Sequence, residues 1–242
     1  MLGTEQSPGL ILRSIQKIFE AKKNLEDDIK SNWKVNLKVE MLEIYNERVN
    51  DLLSKDSAGK DLELTENEVI GSTKVPVKRA TDVKKILEIA TARRCTKATS
   101  SNDTSSRSHM VFNIFIDTIQ RSDDSLSRFG KLHICDLAGS ERLSKSKSNE
   151  NADLLKETQS INTSLLTLSN VIEKLQKNED HVPFRESKLT YMLQKSLGGD
   201  SKTLAIVCCS PTPTSFHESV CSLRFASKVN RVELQKQATF EP

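Results

Sequence analysis

Two short polar runs carry residue types that could handle a phosphate and its metal. They are Asn102-Asp103-Thr104-Ser105-Ser106-Arg107-Ser108-His109 and Asp136-Leu137-Ala138-Gly139-Ser140-Glu141-Arg142. Asp136 closes an apolar strand pattern (Leu132, Ile134), and Gly139 follows three places later. A strand end aims such a carboxylate at a hydrated magnesium ion. A glycine amide can approach a terminal phosphate closely because no Cβ intervenes. Ser105 and Ser106 add hydroxyls that suit magnesium and phosphate oxygens, and Arg107 adds a fixed cation. Singly, each run has a plainer explanation: a strand-end aspartate with a turn glycine, or a polar turn capped by serines. Together, each abutting a strand, they have the make-up of two loops sensing one nucleotide.

The loop that would grip the phosphates is not found. A cradle of the form G-x-x-x-x-G-K-[ST] supplies glycine amides and a lysine. Gly59-Lys60 is followed by Asp61 and has Ser54 where the first glycine belongs. Gly199-Asp200-Ser201-Lys202-Thr203 has no glycine before its lysine. A guanine-reading Asn-Lys-x-Asp motif is also missing, which speaks against a GTPase.

The elements that must position these runs can be read from periodicity. Ile11, Ile15, Ile18 and Phe19 fall at helical spacing from Leu10. Trp33, Val35, Leu37, Val39 and Met41 alternate, with Leu42 and Ile44 on the other face, so a long strand becomes covered on both sides toward its end. Residues 62–78 read as short strands around a Gly71 turn, with Pro76 marking an edge. Thr81 is expected to cap a helix reaching Lys97, burying Ile86, Leu87 and Ala90. Met110–Ile119 and Phe129–Leu137 form a strand pair linked by 120–128. A long helix is expected over 150–177 and a second over 189–197, closed by Gly198-Gly199. Thr203–Cys209, an apolar run bounded by Pro211 and Pro213, reads as a buried strand. Ser215 with Glu218 reads as a capping box for a last helix through Val232. Strands alternating with helices give an α/β fold: a central mixed, mostly parallel sheet with helices on both faces. His109 and His133 read as strand residues packed in place.

Composition sets mild limits. The chain has 242 residues, 36% hydrophobic and 29% charged, which describes a globular protein with room for a substantial core. A net charge of +3 implies no nucleic-acid partner from the total alone. The five cysteines (Cys95, Cys135, Cys208, Cys209, Cys221) form no C-x-x-C pair, as expected of thiols in a reducing compartment. Without a signal peptide or an apolar run near 18 residues, the expectation is no membrane and a cytoplasmic or nuclear place.

The chain resembles the kinesin motor domain over nearly its whole length. Residues 102–109 resemble that family's first switch and 136–142 its second. Glu43-Ile44-Tyr45-Asn46-Glu47, Ile161-Asn162-Thr163-Ser164-Leu165, Val182-Pro183-Phe184-Arg185-Glu186-Ser187-Lys188-Leu189-Thr190 and Leu223-Arg224-Phe225-Ala226-Ser227-Lys228-Val229-Asn230 resemble further family segments. The resemblance implies the P-loop NTPase-like kinesin fold, N-terminally truncated, over 1–235 with a short tail at 236–242. It implies ATP and magnesium as cofactors. Ser106 would contact magnesium, Asp136 would hold it through water, and Ser105 would meet the terminal phosphate or attacking water. Gly139 would donate its amide to the γ-phosphate, Arg107 and Glu141 would form an ion pair joining the switches, and Asn102 and Asn162 would order the loops. A microtubule is the implied partner, met within about 170–200 by Lys174, Lys177, Arg185, Lys188 and Lys195.

The lost phosphate loop leaves two readings. In the first, favoured by retention of every matched switch residue, the chain is part of an ATP-driven microtubule motor and cannot hydrolyse ATP alone. In the second it is a non-catalytic microtubule-binding or partner-binding module. The end of the chain twelve residues after Asn230, with Glu157-Thr158-Gln159, resembles the C-terminal-motor class, which is minus-end directed and works on spindle microtubules. A dimer partner would then join through a coiled coil upstream. Uncovered sheet edges and apolar faces predict marginal stability for the chain by itself.

Overall fold

The computed structural model describes residues 1–4, 6–28, 33–55, 61–66, 68–97, 107–121, 123–140, 152–199 and 201–233; the side chains of 95–97, 123–125 and 152–162 are outside that description. The chain divides into two compact units. One comprises Met1–Glu43, Asn50–Asp61 and Gly71–Leu137, the other Ile44–Val49, Leu62–Ile70 and Ala138–Pro242.

The first unit opens on helix α1 (Leu10–Asp27), which buries Ile11 and Ile15 as their spacing predicts. Its N-cap is Gly9, where a Cβ would meet the Met1 carbonyl oxygen at 2.1 Å, so the tight entry turn demands glycine. Strand β1 (Trp33–Tyr45) alternates at first and is then continuously buried from Val39 to Ile44. β2 (Arg48–Asp51) and β3 (Val75–Val77) both pair with β1, whose other neighbour is β4 (His109–Gln120), followed by β5 (Asp123–Asp136). The register described for β1–β3 and β4–β5 is antiparallel in both cases, so the mixed sheet is richer in antiparallel pairing than the expected mostly parallel one. The reason is local: residues 120–128 read as a loose link in sequence, yet β4 extends to Gln120 and β5 already begins at Asp123, the two paired directly. Helix α2 (Ala80–Lys97) packs Val83, Ile86, Leu87 and Ala90, together with α1, in one core with Leu37, Val39, Met41, Phe112 and Ile114 of the sheet. Thr81 lies inside this helix and does not cap it. Asp82 does, its Oδ2 accepting the N–H groups of Lys78 (3.1 Å) and Arg79 (2.9 Å).

The second unit is helical: α3 (Ala152–Gln176), a 3-10 turn (Phe184–Glu186), α4 (Lys188–Met192), α5 (Gln194–Gly198), a second 3-10 turn (Pro213–Ser215) and α6 (Phe216–Asn230). The expected single helix over 189–197 is two short ones, broken at Leu193. Ser215 stands at the N-cap of α6 without a side-chain cap, because its hydroxyl accepts from Thr212 instead. The strand expected at Thr203–Cys209 is not formed. That segment has no regular structure, with Leu204 at 84% and Ile206 at 60% exposure. A strand exists only by pairing, and no described residue offers this run a ladder. Among the described residues no helix is long and apolar enough to cross a membrane.

Candidate functional site

The antiparallel register of β4 and β5 sets the site. Met110 is opposite Asp136, so the start of one strand and the end of the other lie at the same end of the sheet. Arg107 precedes Met110 by three residues, at most about 10 Å of extended chain. Arg107, partly buried before β4, and Asp136, partly buried as the last residue of β5, therefore lie toward the same end of the sheet. Gly139 is also partly buried, in the segment after β5. Asn102, Ser105, Ser106 and Glu141 lie outside the described residues. Asn162 falls within α3, its side chain likewise outside.

The root of the first run is clamped by a buried polar network that sequence reasoning missed. Ser108 is fully buried, and its hydroxyl donates to Glu43 Oε1 at 2.8 Å. The Arg94 guanidinium donates to the Ser108 carbonyl (2.9 Å) and to its hydroxyl oxygen (2.9 and 3.2 Å), and lies 3.4 Å from Glu43 Oε1. A glutamate inside the apolar β1 pattern was the available signal, since a buried acid needs a partner. The same holds for buried Glu40, which accepts from Asn113 at 2.6 Å and from Ser72.

The donor set suits magnesium, a hard cation that prefers oxygen ligands. The neighbouring Cys135 offers no soft thiolate in competition: burial, then the charge of Asp136, pushes its thiol up to about 12. The phosphates themselves find no glycine-rich cradle in the sequence. His109 and His133 lie in β4 and β5, as expected, and are pushed down to about 4 by burial, with lesser repulsion from Arg94 and Lys131 respectively. Both are neutral imidazoles at pH 7.

The expected basic residues lie in the second unit, where α3 packs against α4 and the first 3-10 turn. Local capping fixes that segment. Ser187 Oγ accepts from the Thr190 N–H at 3.1 Å, and Glu47 Oε2 accepts from the Lys188 N–H at 2.8 Å. Their charges are not sorted onto a separate basic face. Lys177 donates to Glu173 at 2.9 Å, Lys174 pairs with Glu179, and Arg185 reaches Glu66 at 2.8 Å while lying over the Tyr191 ring. Lys228 of α6 also donates to Glu173, at 2.7 Å. Bonds first from Lys228 and then from Lys177 hold the Glu173 carboxyl down at about 2. Lys195 lies in α5.

Comparisons with known proteins address the chain as a whole. The kinesin motor domain family model matches residues 1–232. The chain is 46% identical to the kinesin-like protein KIN-14C of Arabidopsis thaliana over 97% of its own length and 31% of that protein. It is 43% identical to carboxy-terminal kinesin 2 of Xenopus laevis over 94% of its length and 36% of that protein. Among solved structures it resembles a fast kinesin (TM-score 0.86, 32% identity, covering 98% of this chain and 68% of that one). It also resembles the C-terminal motor and motor homology domain of Kar3Vik1 (TM-score 0.78, 38% identity, 92% and 58%). A third neighbour is a KIF14 dimer bound to a microtubule with AMP-PNP (TM-score 0.85, 31% identity, 98% and 68%). The chain belongs to the kinesin motor domain family, with its relatives among the C-terminal kinesin-14 members. It spans about a third of the length of the curated relatives it matches.

Proposed function

We propose that this chain is the switch-bearing and microtubule-facing part of an ATP-driven, minus-end-directed kinesin motor that works on cytoplasmic and spindle microtubules. One observation supports the reading: the β4–β5 register sets Met110, three residues after Arg107, opposite Asp136. Asp136 and Ser106 would hold magnesium, the former through water. Ser105 would face the terminal phosphate and Gly139 would donate its amide there. Arg107 would pair with Glu141 once the loops close, since a bidentate guanidinium–carboxylate link is directional enough to join two segments. Asn102 and Asn162 would order the loops. Bound magnesium-ATP supplies the phosphoanhydride whose cleavage such loops sense. Lys174, Lys177, Arg185, Lys188 and Lys195 would meet the acidic tubulin surface, the first three exchanging Glu179, Glu173 and Glu66 for tubulin carboxylates. A dimer partner would join through an upstream coiled coil.

Equilibrium binding of a fluorescent ATP analogue with magnesium tests the division of labour. Several phosphate-holding amides and a lysine are missing together, and one lost preorganised donor already costs roughly 3–4 kcal/mol of transition-state stabilisation. The chain by itself is expected to show no saturation at micromolar nucleotide, and micromolar affinity would overturn this. A transcript without an in-frame phosphate loop upstream of Met1 would instead establish the non-catalytic binding module.

A further inference from the structure

We propose that Glu43 and Arg94 are positioning residues for Arg107: they clamp Ser108 and thereby fix where the switch arginine leaves the sheet. Arg94, near the end of α2, and Ser108, at the start of β4, bracket thirteen residues, 95–107. The Arg94 guanidinium bridges that gap through the Ser108 carbonyl and hydroxyl, both at 2.9 Å. It thus ties the residue that follows Arg107 to the end of α2. A contact that holds Ser108 in place fixes the direction in which its neighbour Arg107 leaves it.

Glu43 completes the clamp. Its carboxylate accepts a hydrogen bond from the Ser108 hydroxyl and lies within ion-pair distance of Arg94. Ser108 is fully buried, and the Glu43 side chain is 2% and the Arg94 side chain 13% exposed. The three groups therefore hold one geometry in a place where water competes little. Three N–H contacts from one planar fork are needed, which a lysine cannot supply from a single ammonium position. A buried ion pair is weak grounds for stability, because apolar residues of similar volume often do as well. Directional hold on the residue next to Arg107 is what apolar residues cannot replace. The purpose assigned to the clamp rests on the proposed function, while the clamp itself does not.

The test is amide hydrogen exchange, read by NMR or fragment mass spectrometry, on the nucleotide-free chain and its Glu43→Leu/Arg94→Met variant. The variant replaces the pair with apolar side chains and so keeps burial. Exchange at Arg107, Ser108 and His109 is expected to accelerate about tenfold, while the centre of β1 (Val39–Leu42) stays within about twofold of wild type. Unchanged exchange at 107–109, or the same acceleration throughout β1, would overturn the proposal. If the double variant fails to fold, Arg94→Lys decides. It retains the charge but not the fork, so acceleration confined to 107–109 supports positioning, and wild-type rates there refute it. The same double variant placed in a phosphate-loop-bearing fusion should lower kcat and leave KM for ATP within about twofold. An unmodified fusion without ATPase activity would instead fail the motor reading, and the nucleotide-free comparison would still decide the clamp.

Discussion

Joined in frame behind the phosphate-loop segment of a C-terminal-motor kinesin, the chain is expected to hydrolyse ATP with microtubule stimulation. In that fusion Arg107→Ala or Glu141→Ala should each lower kcat by about 10²- to 10³-fold, the usual cost of losing one preorganised group at a transition state. The double variant should be no slower than either single one, because two residues acting as one link are lost together. Multiplying effects would show that Arg107 and Glu141 act independently. The geometry behind this is the β4–β5 register, with Met110 opposite Asp136 and Arg107 just upstream. β5 cannot shift by one residue without turning Asp136 to the other face, so register itself protects the arrangement.

The second large effect is acid lability centred on His109. This side chain is 3% exposed, and burial, helped by the Arg94 charge, lowers it from 6.5 to about 4. The folded form therefore resists a proton that the unfolded chain accepts. Stability from this group is complete above pH 6.5 and falls as the pH drops toward 4, by about 3 kcal/mol in all. His133 is shifted in the same direction, but its ring is only partly buried and screening reduces its share. Urea unfolding at pH 7, 5.5 and 4.5 reads the slope directly. His109→Asn, which cannot take up a proton, should flatten it by most of that amount relative to wild type. An identical pH slope in both proteins would contradict the assignment. Glu173 acts at lower pH with the same sign, its contribution present above 4.5 and lost toward about 2, and because water reaches this partly exposed carboxyl its share is small.

Much of the fold was legible because it is written in period. Ile11 and Ile15 at helical spacing, the alternation from Trp33, and the paired runs beginning at Met110 and ending at Asp136 all depend on which face is buried, and periodicity encodes that. The failures share a different cause. Leu204 and Ile206 have strand composition, but a ladder needs a neighbour, and composition does not say whether one is present. Ser215 has the right spacing to Glu218, yet Thr212 takes part in its hydrogen bonding. The clamp joins Glu43, Arg94 and Ser108, residues 65 and 14 places apart in the two contacts, and no local pattern connects them. Lys174 and Lys177 could be named from sequence as basic, but not as already paired with Glu179 and Glu173.

Co-pelleting of the chain with microtubules, with and without magnesium-ATP and across a salt series, tests the central claim most directly. Basic side chains that exchange internal carboxylates for tubulin carboxylates should give pelleting that weakens steeply with salt. A chain without a phosphate cradle should show the same affinity whether or not ATP is present. Arg185→Ala/Lys188→Ala should weaken pelleting by about tenfold, on the order of 1.4 kcal/mol. A folded chain that stays in the supernatant at low salt, or one that micromolar ATP releases from the pellet, would contradict the account.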